Sequence, residues 1–308
     1  MTISKIKKIA KGIILENEPM SRHTSYGIGG NVSAYITPFD RNDLIRIIKL
    51  ININKSKLYF VGSGSNLLVN DKNISAFVIT PAKALKSLSI NNNIIIADTG
   101  VMLGKVVKES IKHKLTGLES LVGVPGTLGG ALMMNAGAFG AEISNYLVSV
   151  EVITNNGEIK TLYPNDIEFS YRYSSFKQSE FILSAKLELI PSSEKEIMNK
   201  KLVASEGRKN NQPLRHRSAG SVFKNPTKKI AAGLLIDQAG LKGTRFGGAE
   251  VSDHHANFFI NHGNAKASDI TNLIRLTRKT IYEKFGIMLE LEIKTIGFSK
   301  SELYPYAI

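Results

Sequence analysis

Residues 117–143, GLESLVGVPGTLGGALMMNAGAFGAEI, place seven glycines and a proline in 27 positions. A run so poor in side chains does not sustain a long helix or a central strand, because glycine loses the most backbone freedom on ordering and offers nothing to pack. What a bare backbone does permit is close approach, either of another backbone or of a ligand. The apolar residues that build a core must therefore come from the sequence on either side.

A shorter loop, Gly62-Ser63-Gly64-Ser65-Asn66, directly follows the strand-like LYFV of residues 58–61. Backbone N–H groups at a strand's end can cradle phosphate, and small side chains let a pyrophosphate come near. The loop fits neither the GxGxxG spacing nor a P-loop, whose lysine it lacks, so a Rossmann site and an NTPase are unsupported. Its alternative is a tight turn with no ligand. Gly123-Val124-Pro125-Gly126-Thr127-Leu128-Gly129-Gly130-Ala131 is a second such loop, and Asn135 and Gly137 extend its bare surface. Two small-residue loops from different strands suit a long dinucleotide gripped along its length; the alternative is backbone packed on backbone.

The flanking sequence alternates helix and strand. Ile3, Ile6 and Ile9 mark one face of a short helix, a helix is predicted over Arg41–Leu50, strands at LYFVG and NIIIADTG, and a helix over Leu103–Lys114. VSVEVITNNGEIKTLYP reads as a hairpin around an Asn-Asn-Gly turn, followed by the strand FILSAKLELI. The polar helical run SSEKEIMNKKLVASEGRKNNQP is predicted to connect domains, with a boundary near residues 195–210. Beyond it come a helix over Ile230–Gln238 closed by Gly240, a strand at HANFFIN, a helix over Ser268–Phe285 stopped by Gly286, and a last strand MLELEIKTIG. The class expected is α/β (α+β).

At 308 residues with 43% hydrophobic composition, the chain can bury two or three cores. No window reaches the roughly 18 consecutive apolar residues of a membrane span, and lysines interrupt the apolar positions near the start, so neither a membrane segment nor a signal peptide is expected. The absence of cysteine excludes disulfides, thiolate metal sites, iron–sulfur clusters and a cysteinyl-linked flavin, and fits a cytoplasmic location. The formal charge of +14 invites a nucleic-acid reading, yet the basic residues are scattered and the basic stretches carry almost no stacking aromatics. A positive surface also suits an enzyme whose ligands carry phosphate.

Eight segments in order, HTSYGIGG (23–30), GSGSNLLV (62–69), GLESLVGVPGTLGGALMMNAGAFG (117–140), YRYSSFK (171–177), SAGSVFKNP (218–226), AGLLIDQAGLKG (232–243), SDHHANFFIN (252–261) and LELEIKTIG (289–297), together resemble the UDP-N-acetylenolpyruvoylglucosamine reductase (MurB) family. The resemblance implies a two-part FAD-binding region of the vanillyl-alcohol-oxidase (PCMH) type, residues 1–80 and 81–200, followed by a smaller α/β substrate-binding domain, 201–308, whose tail returns to the first part. It implies non-covalent FAD held by Gly62, Ser63, Gly64, Ser65, Asn66, Pro125, Gly126, Thr127, Gly129, Gly130, Asn135 and Gly137. NADPH reduces the flavin, which passes hydride to C3 of UDP-N-acetylglucosamine enolpyruvate to give UDP-N-acetylmuramate for peptidoglycan. A monomer with no nucleic-acid or membrane partner is expected.

Hydride addition at C3 loads negative charge onto C2 and its carboxylate, so the site needs cations there and a proton donor at C2. The resemblance assigns these catalytic roles to Arg172, as a guanidinium on the carboxylate, Ser221, as the acid, and Glu292, which stabilises the enolate. A serine hydroxyl holds its proton far above neutral pH and needs neighbouring cations to act so. Alternatives remain: an ion-pair former for Arg172, a turn former for Ser221, and for Glu292 a solvated face of the strand in which Leu289, Leu291 and Ile293 alternate with Glu290, Glu292 and Lys294. Substrate contacts are expected from Arg208, Lys224, Asn225, Gln238, His255 and Lys294, and Asn257 lies in a matching motif. His254 and His255, adjacent on a strand, would face opposite ways, so no metal site is expected.

Three departures from the family pattern stand out. Gly27 occupies a position often basic in the family, which removes a charge near the flavin, and Phe139 stands where tyrosine is often found. The 48 residues between Arg172 and Ser221 leave little room for an extra substrate loop, which points to the shorter, type II form. The rival enzyme reading is another FAD-dependent oxidoreductase of the same flavin fold, acting on a small hydroxy acid or alcohol.

Overall fold

The structure is a computed structural model that describes residues 3–138, 140–154, 156–177 and 180–304. Phe139 and Asn155, the latter inside the expected hairpin turn, lie outside the described residues. The chain divides into two compact units: residues 1–16, 34–63 and 75–208 form the first, and 17–33, 64–74 and 209–308 the second.

The first unit opens with the helix Ile3–Ile9, whose Ile6 is buried, and a four-stranded sheet in the order Ile13–Pro19, Asn31–Thr37, Ile74–Ile79, Leu58–Phe60. The helix Arg41–Ile53 starts where Asp40 accepts the Asp43 N–H at 2.7 Å. Its Leu44, Ile47, Ile48 and Ile51 pack on Ile36 and Ile79 with the spacing of one helical face. Asp43 is buried in this helix: burial would raise its pKa, but N–H groups of Phe39, Lys11 and Gly12 and the Arg46 guanidinium hold it below the usual carboxylate range.

A five-stranded antiparallel sheet follows in the order Ile159–Leu162, Leu147–Ile153, Phe181–Glu188, Ile94–Asp98, Leu88–Asn91. The hairpin pairs Val150 with Leu162 and Ile153 with Ile159, and Ser184 stands opposite Asp98. The helix Leu103–Lys112 buries Leu103, Val106 and Val107, and with Leu128, Leu132, Val150 and Leu187 these form the unit's second core. The polar helix of the expected connector runs Glu194–Asn211, ending before Pro213.

In the second unit the helix Ala267–Phe285 stops at Gly286, whose φ of +68° is the left-handed cap that glycine adopts freely. Ile270, Leu273, Ile274 and Ile281 from it pack with Ile236 and Phe259. Arg278 is fully buried, its Nε donating to Leu289 O at 2.9 Å, its Nη1 to Leu303 O at 2.6 Å, and its guanidinium lying 3.8 Å from the Tyr304 ring centre.

Two expected strands shorten. Only Phe259–Asn261 of HANFFIN joins the three-stranded sheet with Arg245–Phe246 and Ala249–Val251. The N–H groups ahead of it are spent locally: Ser252 Oγ accepts from His254 and His255, and His255 Nδ1 accepts from Asn257. His254 and His255 thus sit in a turn, which corrects the strand geometry expected for them. In MLELEIKTIG the regular strand is Lys294–Ile296, parallel to Leu67–Val69; residues ahead of it bond irregularly to Val222 and Lys224.

Candidate active site

In the first unit the long glycine loop is strapped along the chain that follows the strand Ile94–Asp98. Leu103 N donates to Gly126 O at 2.9 Å, Leu128 N to Val101 O at 2.8 Å, and Gly129 N to Thr99 O at 3.0 Å. Gly126, at φ +138°, makes a turn that a side chain would strain. Its glycines divide into two kinds. A Cβ on Gly129 would lie 2.9 Å from Thr99 Cβ, and one on Gly62 would lie 2.3 Å from Thr127 Oγ1, so these two are bare because a threonine side chain packs against each. At Gly130 the nearest atom is 3.8 Å from the Cβ position, which leaves its backbone open to approach.

The two loops therefore meet at Gly62 and Thr127. Neither 62–66 nor 123–131 carries an acidic side chain. A bare, acid-free backbone of this kind fits a diphosphate group, the part of FAD that needs N–H donors and tolerates no carboxylate. Asn135 is different: fully buried, it donates to Glu142 Oε2 at 2.8 Å and Ser170 O at 3.1 Å and accepts from Ser144 N at 3.3 Å. Its amide ties three loops together. Gly137 pairs in a short hairpin, where a Cβ would lie 2.6 Å from Ala141 O.

Arg172 occupies the two-residue turn between Phe169–Ser170 and Tyr173–Ser174. Its φ is +56°, and its guanidinium lies 5.0 Å from the Tyr171 ring centre. Left-handed backbone costs a residue with a Cβ about 1–2 kcal/mol, so the turn holds this arginine at a cost in stability. Arg208 shares its neighbourhood: burial first, and then the charge of Arg172, lower the Arg208 pKa. Arg208 Nη2 donates to Ser120 O at 3.4 Å, while its buried Nε and the buried Ser120 Oγ have no hydrogen-bond partner. Two guanidiniums close enough to oppose each other's charge are a place for an anion.

In the second unit Ser221 follows Gly220, at φ +78°, and bridges to Phe258. Asn257 clamps the residues after it: Val222 N donates to Asn257 O at 2.8 Å, Phe223 N to Asn257 Oδ1 at 2.9 Å, and Asn257 Nδ2 to Phe223 O at 2.8 Å. Glu292 N donates to Val222 O at 2.8 Å, Asn66 Nδ2 to Glu292 O at 3.2 Å, and Lys294 N to Asn66 O at 2.9 Å. Ser221, Glu292, Lys294 and Asn66 are thus drawn together by backbone bonds and the Asn66 amide. Burial lowers the Lys294 pKa, the Lys224 charge lowers it further, and Glu292 opposes both.

The other expected substrate contacts divide. Lys224 reaches Glu290 at 3.5 Å. Asn225 Oδ1 accepts the Ala232 N–H at 3.0 Å at the head of the helix Ala232–Gln238, a capping position, and Gln238 is exposed at the far end of that helix. His255 packs 4.8 Å from the Phe258 ring and over Gly233, and burial lowers its pKa. Two residues were not legible in their role. Asn257 reads as a motif residue but works as a backbone clamp, and Arg217 carries no motif signal at all. The bare Gly27 was the clue to Arg217, whose side chain covers it. A cavity of about 520 Å³, lined by Lys209, Arg215, His216, Glu250, His254 and His262, includes none of the expected site residues.

Among the described residues no helix is long and apolar enough to cross a membrane. The glycine cradle fits an FAD-binding oxidoreductase, and a family profile described as "FAD binding domain" matches residues 32–163. A second profile, "UDP-N-acetylenolpyruvoylglucosamine reductase, C-terminal domain", matches residues 212–296. The chain is 42% identical over 297 residues to UDP-N-acetylenolpyruvoylglucosamine reductase from Caldanaerobacter subterraneus subsp. tengcongensis, covering 96% of this chain and 98% of that one. It is 40% identical to the enzyme of the same name from Chloroherpeton thalassium, over 97% and 98% of the two chains. The crystal structure of UDP-N-acetylenolpyruvylglucosamine reductase from Thermus caldophilus superposes with a TM-score of 0.79 at 31% identity, covering 93% of this chain and 99% of that one. The chain belongs to the UDP-N-acetylenolpyruvoylglucosamine reductase family.

Proposed function

We propose that this chain reduces UDP-N-acetylglucosamine enolpyruvate to UDP-N-acetylmuramate as a cytoplasmic monomer of the type II form. Residues 1–80 and 81–200 hold FAD in this reading, and 201–308 the nucleotide sugar. The flavin, when bound and reduced by NADPH, supplies hydride to C3 of the enolpyruvyl group. Ser221 Oγ gives its proton to C2 and regains one from solvent, so that the double bond is replaced by two C–H bonds. Arg172, with Arg208 beside it, takes the substrate carboxylate as charge develops there. Lys294 and Lys224 make the cationic surroundings that a serine needs to act as an acid, and Glu292 beside them stabilises the enolate.

The observation that carries this reading is the clamp by which Asn257 and the Val222–Glu292 bond fix Ser221 beside Glu292 and Lys294. Purified protein is expected to be yellow, to bleach with NADPH and to recover its colour on adding the enolpyruvyl sugar. Protein that takes up no FAD, or whose bleached flavin the sugar leaves unchanged, contradicts the proposal.

A further inference from the structure

Within the second unit the turn at residues 24–27 meets the segment that leads to Ser221. Gly27 has φ +67°, and a Cβ there would lie 2.3 Å from Arg217 Nη1 and 3.3 Å from its Cδ and Cζ. The Arg217 guanidinium therefore fills the space that a side chain at position 27 would take. Buried Asn261 holds both partners: its N–H donates to Arg217 O at 2.9 Å and its Nδ2 to Tyr26 O at 2.7 Å. Asn261 Oδ1 is fixed in turn by the N–H groups of Gly263 and Ala265.

The same turn is joined to the shorter glycine loop. Ser25 N donates to Gly64 O at 3.1 Å, and a Cβ on Gly64 would lie 2.0 Å from His23 O. Acids on the adjoining segments are engaged elsewhere, Glu18 with His23 and Glu250 with Arg245 and His262. Among the described residues no carboxylate pairs with Arg217, which is exposed. An exposed guanidinium laid across a glycine and braced from beneath is suited to an anion arriving from outside.

We infer that Arg217 is the cation this chain sets against a diphosphate at the Gly64-Ser65-Asn66 turn, in the place left bare by Gly27. The inference rests on the flavin reading above. FAD and the nucleotide sugar both carry a diphosphate, and Arg217 serves one of them by the same bidentate chemistry. It binds and positions; it moves no proton.

The test uses the full chain and Arg217→Gln, which keeps the cover over Gly27 and removes the charge. One arm titrates FAD into apoprotein by flavin fluorescence at low and at high ionic strength. The other titrates UDP-N-acetylglucosamine into the FAD-loaded protein by calorimetry. Arg217→Gln is expected to weaken one of the two by about tenfold at low salt, with the loss shrinking at high salt. A loss in the first arm assigns the contact to FAD, and a loss in the second to the nucleotide sugar. Gly27→Lys combined with Arg217→Ala, which returns the charge from the other backbone, is expected to recover affinity to within about threefold. Native affinity of Arg217→Gln in both arms overturns the inference, whereas native protein that takes up no FAD overturns the flavin reading.

Discussion

Gly62 stands against Thr127 so closely that a Cβ would sit 2.3 Å from the threonine Oγ1 and 3.2 Å from its Cγ2. The two glycine-rich loops touch there, and the threonine does not yield easily, being buried, β-branched and the acceptor for Gly130 N.

Gly62→Ala is therefore expected to cost about 1–3 kcal/mol, a loss of several degrees in melting temperature, and to weaken FAD binding. Thr127→Ala in the same chain should return part of both, because the two changes share one contact. A melting temperature equal to the native one for Gly62→Ala shows that the loops are not held together there.

Ser221→Ala should separate the two half-reactions. Reduction of the flavin by NADPH is expected to stay within about twofold of native, while reoxidation by the enolpyruvyl sugar slows by about 100-fold or more. Rapid-mixing absorbance of the flavin reads both steps. Equal loss in the two removes Ser221 from proton delivery.

Arg172→Gly sets stability against activity. Relief of the left-handed backbone and the added freedom of the unfolded chain oppose each other, so stability should stay within about 1 kcal/mol of native. kcat/KM for the sugar should fall by about 100-fold or more as the carboxylate loses a guanidinium. Denaturant melts and steady-state rates check the pair, and unchanged kcat/KM contradicts the role.

His255 links acid to the Ser221 clamp. Its Nδ1 accepts the Asn257 N–H at 3.2 Å, and burial holds its pKa below the ordinary 6.5. The unfolded state then binds more protons than the native state just below pH 6.5, so stability rises with pH through that window and is lost on acidification. His255→Asn keeps an acceptor without a titrating ring. Its melting temperature should fall less than the native one between about pH 6.5 and 5. Parallel falls exclude His255 as the source.

Much of the fold was legible because its signals are local. Alternating Val148, Val150 and Val152 marked a strand of the hairpin, and Gly286 marked the end of the long helix, with no knowledge of what either packs against. The strand at HANFFIN came out shorter because Ser252 and His255 take N–H groups that a ladder would need, and the one at MLELEIKTIG because Glu290 and Glu292 bond irregularly to Lys224 and Val222, competitions invisible in an apolar pattern.

The site divides in the same way. By itself the sequence determined that two bare loops exist, that the chain has no thiol chemistry, and, through eight ordered motifs, which family it resembles. It did not separate the glycines that pack, Gly62 and Gly129, from Gly130, whose backbone is open, since that difference lies in Thr127 and Thr99. Nor did it show that Asn135 and Asn257 spend their amides inside the protein, or that Arg217 covers Gly27. Only the tertiary structure decides such matters. A hydrogen bond such as Asn66 to Glu292 joins residues 226 apart, and composition and periodicity describe a residue's neighbours in the chain, not those in space.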